Sequence, residues 1–153
     1  MSNRLLSKAA LSAAILSIGI YSTAHAHSGG ATLNPRGGNP SATALAAITC
    51  SKYTKLSEEP AKLIVQLRDI SPPVEGLLLS VQIYKGTQAI SITDPVSGDA
   101  NYSPAVELNA GPGAYQVLLD KTAAGPRQFD LIWHCESAEG IHTETQINVR
   151  QFQ

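Results

Sequence analysis

The sequence predicts an all-β fold, an antiparallel two-sheet sandwich of about seven to eight short strands pinned by one disulfide. Three observations predict it. Apolar residues recur at every second position in run after run, as in strands with one buried face. Gly and Pro cut these runs at short, regular intervals. Two cysteines, Cys50 and Cys135, stand far apart in a chain with the marks of export.

The runs can be taken in order. Ala46, Ile48 and Cys50 share one face, as do Leu63, Val65 and Leu67, with Gln66 and Arg68 opposite. Leu77, Leu79, Val81 and Ile83 alternate with Leu78, Ser80, Gln82 and Tyr84. Ile90 and Ile92 form a short run, followed by Val106 with Leu108, then Tyr115, Val117 and Leu119. The cleanest cases come last: Phe129, Leu131, Trp133 and Cys135, then Ile141, Thr143, Thr145, Ile147 and Val149. Between them lie Ser71-Pro72-Pro73, Lys85-Gly86, the stretch from Asp94-Pro95 to Pro104, Gly111-Pro112-Gly113 and Gly125-Pro126. Such breakers set turns because Pro fixes φ and Gly admits positive φ.

The first 26 residues read as a cleaved signal peptide. Arg4 and Lys8 make a positive start, and Ala9 to Ile20 is an apolar run of 12 residues. That is shorter than the roughly 20 apolar residues a membrane span needs. Ala24-His25-Ala26 then matches the small-x-small pattern that signal peptidase accepts. A cut after Ala26 makes His27 the first mature residue; a cut after Ala24 leaves His25-Ala26-His27. The expected organisation is therefore signal 1–26, a flexible Gly/Pro/Asn-rich leader 27–43, and a β-sandwich domain 44–153. The leader is assigned because Leu33 is its one large apolar residue, which leaves little to bury.

Without the signal, 9 basic residues face 12 acidic ones, a net charge of −3. No basic block occurs, which argues against nucleic acid or anionic lipid as partners. No second apolar run reaches membrane length, so a periplasmic or secreted protein is expected. In an oxidising compartment the two cysteines pair most simply with each other. The bridge would span 85 residues and contribute up to about 4 kcal/mol. Redox chemistry would call for a C-x-x-C spacing, which is absent. The only methionine is Met1. A transition metal would therefore have to bind through imidazole, amine or carboxylate.

Trp133 and Cys135 share a face two residues apart, so the indole should pack beside the bridge. In this the architecture resembles immunoglobulin-like sandwiches, although here the tryptophan sits on the second cysteine's own strand. Gly113-Ala114-Tyr115 also looks like the glycine-then-tyrosine strand entry of such domains.

Candidate chemistry lies with the histidines. A terminal His27 offers an amine and an imidazole nitrogen on one residue, a chelate suited to Cu(II). In this one residue the mature chain is similar to copper-binding exported proteins, namely the periplasmic copper-resistance β-domains and the lytic polysaccharide monooxygenases. The resemblance implies a bound Cu(II). The chain departs from both, being small for the oxygenases and lacking a second-ligand motif of the copper-resistance type.

His134 has the opposite parity to Trp133 and Cys135, and His142 opposes Ile141 and Thr143, so both should point away from the core. With Ala138 to Gly140 as a hairpin loop, Glu136 would lie opposite His142 and Glu144 opposite His134. The imidazoles would then be diagonal neighbours about 7–8 Å apart at Cα. Such a patch could ligate Zn(II) or Cu(II), or form an ordinary solvated hairpin face. The oxygen-rich loop with Asp94, Asp99 and Asn101 could hold Ca²⁺, though without the spacing of a calcium loop. No G-x-S-x-G, H-E-x-x-H or phosphate-binding glycine loop is present, so hydrolase chemistry is unsupported.

The sequence thus points to an exported non-catalytic binding module for a protein or small-ligand partner. The alternative is a Cu(II)-binding or copper-handling protein built on His27, with His134 or His142 as further ligands. Mass spectrometry of the secreted protein should give a chain starting at His27 or His25; any other start removes the terminal chelate.

Overall fold

Alternation of inward and outward side chains shapes the molecule throughout. A computed structural model describes residues 27–153; the signal segment and its cleavage site lie outside the described residues. The described residues form nine strands: β1 His27–Leu33, β2 Ala44–Ser51, β3 Lys62–Asp69, β4 Leu79–Lys85, β5 Gln88–Thr93, β6 Val106–Leu108, β7 Gly113–Lys121, β8 Arg127–Glu136 and β9 His142–Phe152. No helix occurs among the described residues.

Two separate sheets were expected, but the strands form one continuous antiparallel path. Its order is β5-β4-β7-β2-β9-β8-β3-β6, with β1 attached to β8. The end strands β5 and β6 come into contact, so the sheet curls nearly into a barrel. The continuity comes from β9, which changes partner part-way along. Its first residues pair with β8, in the register Glu136↔His142 and Cys135↔Thr143. From Glu144 onward it pairs instead with β2, from Ser51↔Glu144 to Ala44↔Phe152, with a bulge at Leu45/Ala46. A bulge adds local twist, which helps a strand turn from one layer into the next.

The core is built from the faces the sequence alternation marks. Leu63, Val65, Leu67, Leu79, Val81, Ile83, Tyr115, Val117, Leu119, Phe129, Leu131, Trp133 and Cys135 are all buried in one cluster. Within it the disulfide joins Cys50 of β2 to Cys135 of β8, with Cα atoms 5.6 Å apart. Two apolar runs behave differently. Ile90 on β5 is exposed, because β5 is a terminal strand of the path. Ile147 and Val149 on β9 are exposed as well, beyond the point where β9 leaves β8.

The segment expected as a flexible leader contributes a strand. β1 pairs with β8 along its whole length, from His27↔Trp133 to Leu33↔Arg127. Hydrophobic periodicity cannot register such a strand, since its inward positions Gly29 and Ala31 are small. Gly30 is required by close approach: a Cβ there would fall on the Phe129 carbonyl oxygen. Leu33 is fully buried in the core cluster and anchors the strand. Leu33→Ala should therefore destabilise the protein by about 2–5 kcal/mol, as measured by urea denaturation; a change near zero would show that β1 is not docked.

Candidate functional site

Two features stand out, on opposite sides of the sheet around β8 and β9. The first is the outer face of the β8–β9 hairpin. Its turn is closed by Ser137 N–H donating to the Ile141 carbonyl at 2.8 Å and Gly140 N–H donating to the Ser137 carbonyl at 3.2 Å. Gly140 takes φ 79°, the left-handed value that favours glycine. The resulting register places Glu136 opposite His142. Since residues two apart on a strand share a face, His134 lies beside them.

The three side chains meet. His134 Nε2 lies 3.1 Å from Glu136 Oε1, and His142 Nε2 lies 3.7 Å from the same oxygen. The two imidazole rings stack with centroids 4.5 Å apart and planes 7° from parallel. The other oxygen, Glu136 Oε2, is 3.5 Å from Lys62 Nζ, which donates to Glu107 Oε2 at 2.7 Å. Lys62 comes from β3, where it is paired with Glu136, and Glu107 comes from β6. Sequence reasoning missed these two residues, because only the β3–β8 and β3–β6 pairings bring them to the site.

Electrostatics follow the geometry. The Glu107 hydrogen bond raises the Lys62 pKa despite some desolvation, and the Lys62 hydrogen bond lowers that of Glu107. Burial lowers the His134 pKa below its ordinary value of 6.5, and the neighbouring His142 charge lowers it further. Glu136 opposes this, but more weakly. His134 Nδ1 is enclosed without a hydrogen-bond partner.

The other sequence candidates lie elsewhere. Glu144 does not reach His134, because β9 has already turned to β2 at that position. Its carboxylate accepts from Ser51 Oγ and Gln146 Nε2, each at 2.9 Å. His27 lies directly opposite Trp133, and its ring stacks toward the indole at 6.3 Å. Cross-strand pairs share a face, so His27 is on the side of the sheet away from His134. In the oxygen-rich loop, Asp94 accepts backbone N–H groups of Asp69 and Val96, and Asp99 accepts from Asn101. These carboxylates brace their own loop rather than converge.

The second feature depends on β1, within the segment 27–43. β1 and β9 both pair antiparallel with the same edge of β8, so they run in one direction, but they spread apart once β9 leaves β8. They are tied at the far end by Asn34 N–H donating to the Gln153 carbonyl at 2.8 Å. Along the middle, no backbone hydrogen bond joins them among the described residues. Behind this open seam is a cavity of about 220 Å³. Its walls are Gly29 to Ala31 of β1, Ala44 to Ala46 of β2, Leu119, Phe129, Leu131 and Trp133, and Ile147, Val149 and Phe152 of β9. The rim is strongly apolar: Val149 is 63% exposed. The buried indole nitrogen Nε1 of Trp133 has no partner.

The depressed His134 pKa has a definite consequence for stability. The unfolded chain takes up a proton near pH 6.5 and the folded one only at lower pH, so stability should fall as pH drops through and below 6.5. Denaturation curves between pH 7.5 and 5 should show this slope, and His134→Gln should flatten it. No protein-family model, curated protein or solved structure matches this chain, so its function is to be read from these two sites.

Proposed function

We propose that this chain is an exported, non-catalytic binding module that accepts an extended apolar peptide along the seam between β1 and β9. The observation that carries this reading is the pair of unpaired strand edges flanking an apolar cavity. Exposed edges present rows of free N–H and C=O groups, which template pairing with another strand. Residues 28–32 give room for a segment of about five or six residues at roughly 3.3 Å each. Alternate side chains of the guest would enter the cavity, and the others would face solvent.

The chemistry of the walls favours a polypeptide over a lipid. An acyl chain would cover Leu131, Phe129 and Val149 equally well. It would leave the strand edges and the Trp133 indole N–H without partners, and an unmet buried donor is costly. A peptide supplies both apolar side chains and backbone carbonyls. The disulfide suits an oxidising compartment, so we place the protein in the periplasm or outside the cell. The Tyr115 hydroxyl donates to the Gly111 carbonyl four residues upstream at 2.7 Å. That bond supports an immunoglobulin-like sandwich whose edges have been drawn together into the curled sheet.

Trp133 is the single tryptophan and reports directly on the cavity. Synthetic peptides of alternating apolar and polar residues should change its fluorescence saturably. They should also slow hydrogen exchange at amides of 28–32 and 146–151. Ala46→Phe, which fills the cavity from β2, should abolish both effects. Absence of any response at millimolar peptide, or a response that Ala46→Phe leaves intact, would overturn the reading.

A further inference from the structure

We propose that His134, His142 and Glu136 form a binding site for one divalent transition-metal ion, Zn(II) or Cu(II), on the outer face of the hairpin. The site lies across the sheet from the seam and does not depend on peptide binding there. It is the one group of three or more candidate ligands among the described residues, with its ligand atoms all within 4.8 Å of one another.

The spacing is close to that of a coordination sphere. Bonds of about 2.0–2.2 Å in a tetrahedral site set ligand atoms roughly 3.3–3.5 Å apart. The two Nε2 to Oε1 distances, 3.1 and 3.7 Å, bracket that value. One change is required. Parallel rings direct their lone pairs alongside each other rather than to a common point, so one imidazole must turn. His142 is the freer of the two: its side chain is 25% exposed, against 17% for His134. His134 lies in mid-sheet with Ile64 as its β3 partner, whereas His142 begins its strand beside the turn. The metal would enter at Glu136 Oε1 with His142 rotating onto it.

Lys62 and Glu107 orient the carboxylate. The Lys62 ammonium holds Glu136 Oε2, which leaves Oε1 toward the imidazoles, and Glu107 in turn holds Lys62. This is the outer support that metal ligands commonly have. The ligand set also selects the ion. The described chain has no methionine, and both cysteines are in the disulfide, so soft Cu(I) finds no sulfur ligand. Two imidazoles and one carboxylate, with open positions toward solvent, suit Zn(II) and Cu(II).

The competing site is the histidine at residue 27, on the other face of the sheet. Calorimetry on the full chain with its disulfide intact, using zinc chloride and copper sulfate separately, distinguishes them. One equivalent of metal should bind. His142→Ala and Glu136→Gln should each weaken binding about tenfold or more, and His27→Ala should leave the Zn(II) affinity unchanged. Because variants can misfold, proton NMR of the wild-type chain supplies a second reading. Zn(II) should shift the imidazole signals of His134 and His142 and leave those of His27 in place. For Cu(II), electron paramagnetic resonance should show two imidazole nitrogens. No binding at micromolar metal, binding that survives His142→Ala, or Zn(II) shifts confined to His27 would each overturn the site.

Discussion

The structure depends on one strand changing partners over one covalent bond. β9 starts beside β8 and finishes beside β2, and the disulfide joins those same two strands where the exchange takes place. Cys135 pairs with Thr143 and Cys50 with Thr145, so the bridge spans the strands on either side of β9. Thr145 adds to the join: its hydroxyl oxygen accepts the Cys135 N–H at 3.0 Å. A cross-link across 85 residues removes many of the unfolded chain's conformations. Here it also fixes the distance between β2 and β8 that β9 has to bridge.

Both candidate sites follow from that exchange. Above it, β8 and β9 remain paired just long enough to set Glu136 against His142. Below it, β9 has moved away and β1 takes the vacated edge of β8, which leaves an open gap between β1 and β9. The period-two pleat then assigns the chemistry. Odd-numbered residues of β8 from Phe129 to Cys135 face inward and give the seam an apolar wall. His134 and Glu136 face outward and give the hairpin its cluster of imidazole and carboxylate groups. One strand therefore serves two unrelated surfaces without either intruding on the other.

At the opposite end of the molecule, buried charge holds the long loop after β5. Arg127 and Asp69 approach to 3.4 Å with both side chains almost wholly buried. Asp69 also accepts the backbone N–H groups of Ser71 and Gly98, and Arg127 donates to the Pro72 carbonyl. A buried ion pair adds little net stability against an apolar replacement, but losing one partner leaves an uncompensated charge. Its effect here is to fix where the proline-rich turn and the 94–104 loop sit. That fixed position keeps Asp94 and Asp99 occupied with backbone donors.

Local sequence determined a good deal. Alternation marked the inward faces of β2, β3, β4, β7 and β8, because a one-sided strand must repeat every two residues. The same parity sent His134 and His142 outward, and the short turn with Gly140 fixed Glu136 against His142. The pairing of Cys50 with Cys135 followed from there being two. Tertiary structure alone decided the rest. β1 carries Gly29, Gly30 and Ala31 where a recognisable strand would carry large apolar residues, so only its partner β8 reveals it. Glu144 was displaced from the cluster, and Ile147 and Val149 from the core, by the same turn of β9 toward β2. Lys62 and Glu107 joined the site through pairings between strands distant in sequence. Side-chain parity is a local property of an extended chain, whereas the choice of neighbouring strand is settled only when the whole sheet closes.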